Sequence, residues 1–156
     1  MTAIGKRCET KYNMYIGKVG QHLVCADLLS KGYKAFIADE GLSYDVLLDI
    51  DSSLKKIQVK TTQGLISTKK QKNIYRFYLK MGKNTKQKYI KNSFDILAVV
   101  CLDINKIGYV KSDDLLDESG NKYKRLIEFK DKDKNKQLYK TKYIQDFTIE
   151  KILGGK

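Results

Sequence analysis

Residues 94–102 read Phe94-Asp95-Ile96-Leu97-Ala98-Val99-Val100-Cys101-Leu102, a nearly unbroken apolar run. A strand with one solvated face alternates apolar and polar residues, whereas a strand apolar at almost every position must be covered on both sides. The run is far shorter than the ~18 residues a membrane-spanning helix needs. It therefore predicts a central strand with a layer packed on each face. A chain of 156 residues can build such a core once. We expect one domain over residues 1–156, with a core at about 12–118 and a C-terminal extension at 119–156.

The other elements can be read around that strand. Residues 11–30 have helical periodicity, with Tyr15, Val19, Leu23, Ala26 and Leu29 on one face. Gly32 then suits a helix C-terminal cap. Residues 34–38 read as a short strand and Asp39-Glu40-Gly41 as a turn. Residues 45–50 and 54–62 are two strands joined by a hairpin at Asp51-Ser52-Ser53. In residues 74–81, Tyr75, Phe77 and Leu79 alternate with Arg76, Tyr78 and Lys80, which makes another strand. Gly108-Tyr109-Val110 looks like the hairpin partner of the central strand, and Ser112-Asp113-Asp114-Leu115-Leu116 starts like a short helix. In the tail, strands at 125–129 and 137–139 flank a charged turn at 130–136. The fold class is α/β, an α+β arrangement around a mixed sheet, with a short C-terminal β extension.

Charge narrows the partner. Residues 1–54 hold 6 basic and 7 acidic residues, residues 55–93 hold 12 basic and none acidic, and residues 94–156 hold 13 and 11. Nearly all of the net +13 thus lies in one quarter of the chain, next to the second hairpin strand. A polyanion is the natural partner of such a stretch. Other classes are disfavoured. Cys8, Cys25 and Cys101 are widely spaced, form no CxxC pair and accompany a single histidine, His22, so they read as small buried hydrophobes rather than zinc ligands. Gly17-Lys18-Val19-Gly20 lacks the length and the terminal Lys-Ser/Thr of a phosphate loop. The N-terminal residues carry charge where a secretory signal is apolar, so an intracellular location is expected by default.

One constellation carries chemistry. Gln58 and Lys60 alternate with Val59 and share a strand face. The hairpin folds back antiparallel and returns Asp45 to that end. A carboxylate, an amide and an ammonium then converge, which suits phosphodiester hydrolysis. Asp45 offers a hard oxygen to Mg²⁺, Gln58 a neutral ligand or a hydrogen bond to water, and Lys60 a cation for developing charge.

Ser43-Tyr44-Asp45-Val46-Leu47-Leu48-Asp49 followed by Ile57-Gln58-Val59-Lys60-Thr61-Thr62 resembles the PD-(D/E)XK nuclease motif. It is similar in particular to the small group I intron-associated homing endonucleases, in which glutamine replaces the second acid. Gly17 to Val24 with Leu28 to Tyr33 resembles the family's first helix, and Phe94 to Val100 with Ile107 to Val110 its closing strands. The resemblance implies an αβββαβ-type core and double-strand cleavage dependent on Mg²⁺, with Mn²⁺ as an alternative ion. It also implies assembly into a homodimer or homotetramer. Asp45 and Gln58 would hold the metal, with Asp45, Gln58, Lys60 and Gln21 forming the catalytic set. Gln21 is a departure, because the family's first helix usually carries glutamate there; this leaves Asp45 as the only carboxylate clearly aimed at the metal and weakens the site. Glu9 lies about three helical turns upstream of Gln21, too far to substitute, and Asp95 is a remote candidate.

Double-stranded DNA would lie on the basic stretch, contacted by Lys69, Lys70, Lys72, Arg76, Lys80, Lys83, Lys86, Lys88 and Lys91. If about six to ten phosphates are engaged, affinity should fall by roughly 10³ to 10⁵ between about 50 and 200 mM salt. A Holliday junction resolvase, a restriction endonuclease, and a catalytically inactive DNA-binding protein on the same scaffold are the competing readings; an RNA-binding role rests on charge alone.

Overall fold

The computed structural model describes residues 3–66, 73–79, 89–132 and 142–154, with side chains described from residue 12 onward. A long helix α1 (Ala3–Ser30) leads into β1 (Lys34–Ile37), β2 (Val46–Ile50) and β3 (Ser53–Thr62). Then follow β4 (Tyr75–Tyr78), β5 (Ile96–Cys101), β6 (Lys106–Lys111), β7 (Leu126–Phe129) and a short helix α2 (Ile149–Leu153). Turns of 3₁₀ helix occupy Leu102–Ile104, Ser112–Leu115 and Ile144–Asp146.

The central sheet has the order β1-β2-β3-β5-β6. β3 and β5 run parallel and the other neighbours antiparallel, so the sheet is mixed as expected. The apolar run at 94–102 becomes β5, the fourth of five strands, and its six residues are all buried. One face packs against the helices: Ile57, Val59, Ile96, Ala98 and Val100 meet Val24 and Leu28 of α1 and Ile149 of α2. The other face, through Leu97, Val99 and Cys101, meets an aromatic layer of Tyr75, Phe77, Tyr89, Phe94 and Phe129. Much of that layer hangs on a two-stranded ribbon in which β4 pairs antiparallel with β7.

Local chemistry accounts for the joints. Gly32, at φ +84°, ends α1. The Tyr33 amide donates to the Leu28 carbonyl and the Gly32 amide to the Leu29 carbonyl, both at 3.0 Å, the Schellman pattern that a left-handed residue permits. The β2–β3 hairpin turns on Asp51 and Ser52, both at positive φ, and Ile50 faces Ser53. Two left-handed central residues match the twist of the flanking strands.

One expectation is corrected. On α1 the buried seam is Gly20, Val24 and Leu28, while Tyr15, Val19 and Leu29 are 58%, 44% and 53% exposed. At Gly20 the helix backbone comes close to β3, which fixes this face toward the sheet. A Cβ added at Gly20 would lie 1.8 Å from Thr61 Oγ1, so no side chain fits at that position of the seam. In the αβββαβ order the second helix falls between β3 and β5, where residues 67–72 and 80–88 lie outside the described residues. Between β3 and β5, the described residues supply a strand, β4, and no helix. The period-two burial of Tyr75, Phe77 and Leu79 is what a one-sided strand demands. The proposed strand at 137–139 lies outside the described residues. None of the described helices is long and apolar enough to cross a membrane.

Candidate active site

The β2–β3 register pairs Val46 with Ile57, and the Asp45 amide donates to the Ile57 carbonyl at 2.8 Å. Asp45 is therefore held at the strand tip, one step before β2, opposite Gln58. Its carboxylate is the centre of the site. Oδ1 accepts from Gln21 Nε2 at 2.8 Å. Oδ2 accepts from Gln58 Nε2 at 2.5 Å and from the Val59 amide at 2.8 Å. Gln58 itself is buried and also donates to the Val59 carbonyl at 3.2 Å. Gln21 reaches the carboxylate because the close approach at Gly20 brings its helix turn against β3.

Lys60 is half-buried on β3, with its ammonium 5.1 Å from the centre of the Tyr89 ring. Its charge, that of Lys18, the Val59 amide and Gln21 all favour the ionised form of Asp45, but burial outweighs them and holds the carboxyl above its ordinary value. Lys18 is paired with Glu40 at 2.9 Å. Lys18, Gln21, Glu40 and Asp45 line a cavity of about 270 Å³ between α1 and the β1–β2 loop. A larger cavity of about 760 Å³ lies away from the carboxylate, bounded by Tyr78, Tyr89, Tyr123 and Arg125.

The structure thus brings Asp45, Gln58 and Gln21 into direct contact and sets Lys60 close enough to act on Asp45 electrostatically. Of the basic residues assigned to DNA, Lys69, Lys70, Lys72, Lys80, Lys83, Lys86 and Lys88 lie outside the described residues. Arg76 on β4 pairs with Glu128 on β7, both its Nε and a terminal nitrogen lying 2.7 Å from one carboxylate oxygen. Lys91 donates to the Gly120 carbonyl at 2.8 Å. Asp95 accepts the Lys56 amide at 2.7 Å and returns its own amide to the Lys56 carbonyl at 2.8 Å, which locks β3 to the start of β5. His22 is exposed on α1. The Glu9 side chain lies outside the described residues.

Two residues near the site escaped the sequence reading. Lys18 stands three positions before Gln21, a spacing that puts both on one helix face and could have revealed it. Tyr89 had no comparable signal, being one aromatic in a lysine-rich stretch.

Among the described residues no group of three or more His, Cys, Asp or Glu side chains could hold a metal. The groups at the site are one carboxylate and two amides that turn their nitrogens to it, each amide also carrying an oxygen. That chemistry fits a hard cation that keeps several waters, such as Mg²⁺, and not zinc.

A helix-flanked mixed sheet with an Asp…Gln-x-Lys tip defines a nuclease core, and the family comparison agrees. The family model described as PD-(D/E)XK endonuclease matches residues 10–150, and the chain belongs to that family. Among solved structures it is similar to a bacterial homing endonuclease, I-Ssp6803I, with a TM-score of 0.67 and 20% identity over 90% of each chain. At that identity the likeness concerns the fold. No curated protein sequence matches the chain significantly.

Proposed function

We propose that this nuclease is a site-specific, Mg²⁺-dependent DNA endonuclease of the homing type, able to use Mn²⁺, and active as a homodimer or homotetramer. The observation that carries the reading is the convergence of Gln21, Gln58 and the Val59 amide on Asp45, with Lys60 on the same strand. Asp45 and Gln58 would hold the ion, the Gln58 amide presenting its oxygen after a half-turn. A bound divalent ion supplies polarisation of the phosphate and acidification of water. Lys60 supplies positive charge where the phosphorane develops, or orients the attacking water. Gln21 fixes the Asp45 carboxylate. The acid-free stretch at 55–93 would hold the duplex through phosphate contacts, with Arg76 released from Glu128 or reading bases only after exchange. A single site cuts one strand, so cutting both strands implies two copies related by a two-fold axis.

One observation favours a second reading, a DNA-binding protein without catalysis. The donors to Asp45, Gln21, Gln58 and the Val59 amide, are all neutral, and among the described residues no group of three or more His, Cys, Asp or Glu side chains gathers to hold a metal.

Both readings meet in one experiment. Linear duplex, plasmid and four-way-junction DNA are incubated with Mg²⁺ or Mn²⁺, with Lys60→Ala and Asp45→Ala in parallel. The proposed nuclease cuts duplex DNA, stops on chelation, and loses about 10²- to 10³-fold in rate in either variant, the scale of losing an electrostatic stabiliser. Equal cutting by wild type and Lys60→Ala would refute the assignment. Preference for the junction would make it a resolvase. Salt-sensitive binding with no cutting would establish the second reading.

A further inference from the structure

The ammonium of Lys60 sits on a flexible four-carbon stem, and a strand alone does not fix where such a group points. Something must restrain it if it is to act at one phosphate. One restraint is the Tyr89 ring, whose centre lies 5.1 Å away. Tyr89 is only 8% exposed and makes an edge-to-face contact with Phe94, at 5.3 Å and 86°. Phe94 in turn stacks on Tyr123 at 5.0 Å and 15°. The segment that carries the ring is tied to the site's own strands. Ser43 Oγ donates to the Ser93 carbonyl at 2.9 Å, and Lys56 Nζ to the Asn92 carbonyl at 3.0 Å. The Asp95 amide donates to the Lys56 carbonyl at 2.8 Å. Ring and lysine are therefore referenced to the same β3 backbone.

We propose that Tyr89 is a positioning residue of the reaction, its buried ring seating the Lys60 ammonium at the strand tip. A cation over an aromatic face is attracted by the ring quadrupole, and more strongly where water is excluded. The hydroxyl is not needed for this. Burial and the charge of Asp45 push the phenol's proton affinity up, so Tyr89 stays neutral and adds no negative charge to compete for Lys60. On its other side Tyr89 lines the cavity of about 760 Å³ with Tyr78 and Arg125, so it forms a wall between that space and Lys60.

This assignment rests on the nuclease reading, and the experiment separates the two. Tyr89→Phe, Tyr89→Leu, Lys60→Ala and the Tyr89→Leu/Lys60→Ala double variant are compared in single-turnover cleavage at saturating duplex. DNA affinity is measured with Ca²⁺ in place of Mg²⁺. Tyr89→Leu should slow cleavage about tenfold, the scale of a desolvated cation–π contact, with affinity changed less than about twofold. Tyr89→Phe should stay within about twofold of wild type. The double variant should be no slower than Lys60→Ala, since residues acting through one another are not additive. Proton spectra give a readout that needs no activity: the Lys60 Hε signals should be shifted upfield by the ring in wild type and Tyr89→Phe, and that displacement should vanish in Tyr89→Leu. A wild-type protein that cuts nothing but shows the ring-shifted Lys60 overturns the nuclease reading and leaves the seat standing. An unshifted Lys60, equal damage from Phe and Leu, or full additivity with Lys60→Ala overturns the seat.

Discussion

The two faces of the central sheet solve the same burial problem differently. The helix side is aliphatic and close-fitting: Val24 and Leu28 lie flat on Ile57, Val59 and Ala98, and the backbone of α1 approaches β3 until only glycine fits at position 20. The opposite side is aromatic, built on Tyr75, Phe77, Phe94 and Phe129, with edge-to-face contacts between Phe77 and Phe129, Tyr89 and Phe94, and Phe129 and Phe147. Large rings span a wider gap and allow the covering layer to be a short ribbon instead of a helix. The candidate site lies on the seam between them. Gln21 comes from the tight side, Gln58 and Lys60 from the side of the rings, and Asp45 accepts hydrogen bonds from both. Both sides hold the carboxylate, and the aromatic side alone carries the ring beside the ammonium.

If that contrast is real, the helix side should tolerate change less well. Gly20→Ala drives a methyl into Thr61, and overpacking of this kind costs about 1–3 kcal/mol even though alanine favours helix by about 1 kcal/mol. At the severe end, which a 1.8 Å approach implies, we expect a net loss of up to about 2 kcal/mol, seen as a Tm lowered by up to about 4–8 °C. Combining it with Thr61→Ala should restore part of this, since the nearest clashing atom is gone. On the other side, Phe77→Leu should cost about 1 kcal/mol, because a layer of rings can close around a smaller apolar side chain. Thermal melts in which Phe77→Leu falls further than Gly20→Ala would break the comparison.

The same contrast decides what the sequence could reveal. β5 was legible because burial on both faces leaves an unbroken apolar run, and the β2–β3 hairpin because turn chemistry and alternation fix register over a few residues. That register is all that Asp45, Gln58 and Lys60 need to share one strand tip. The seam of α1 was misread because it is chosen by distance to another element. Counting apolar residues favours Tyr15, Val19 and Leu29, but the approach to β3 selects Gly20, Val24 and Leu28. Tyr89 was invisible for a related reason: nothing local to it marks a contact with a lysine 29 positions earlier. The Arg76–Glu128 pair likewise depends on β4 meeting β7 across about fifty residues.

Gln21 offers the sharpest probe from the tight side. Gln21→Glu sets a second carboxylate against Asp45 Oδ1, where the amide now donates at 2.8 Å. Without metal the two acids repel, so Tm should drop by a few degrees, roughly the ~1–2 kcal/mol of an unfavourable pair at this exposure. With Mg²⁺ or Mn²⁺ the extra carboxylate becomes a ligand, and calorimetric affinity should rise about tenfold. The loss of Tm should then be recovered on adding metal. Unchanged affinity would mean that Gln21 supports the fold and does not face the ion.

The smallest effect concerns the charge of Asp45 itself. Burial holds its carboxyl above the ordinary value, so the folded chain binds this proton more tightly than the unfolded one. Stability from this group is then fully present below the unfolded pKa and is lost as pH rises through the folded one. Near neutral pH the ionised carboxylate is therefore a net burden, despite its three donors. Asp45→Asn removes the charge and keeps an oxygen for the Val59 amide; a half-turn of Gln21 would let that side chain accept from the new amide. We expect its Tm at about pH 7 to equal or exceed that of wild type by up to a few degrees, with the difference shrinking toward about pH 4. A lower Tm at neutral pH would mean that the three donors outweigh burial, and that the seam holds the fold together through Asp45 instead of carrying a destabilised group for the sake of chemistry.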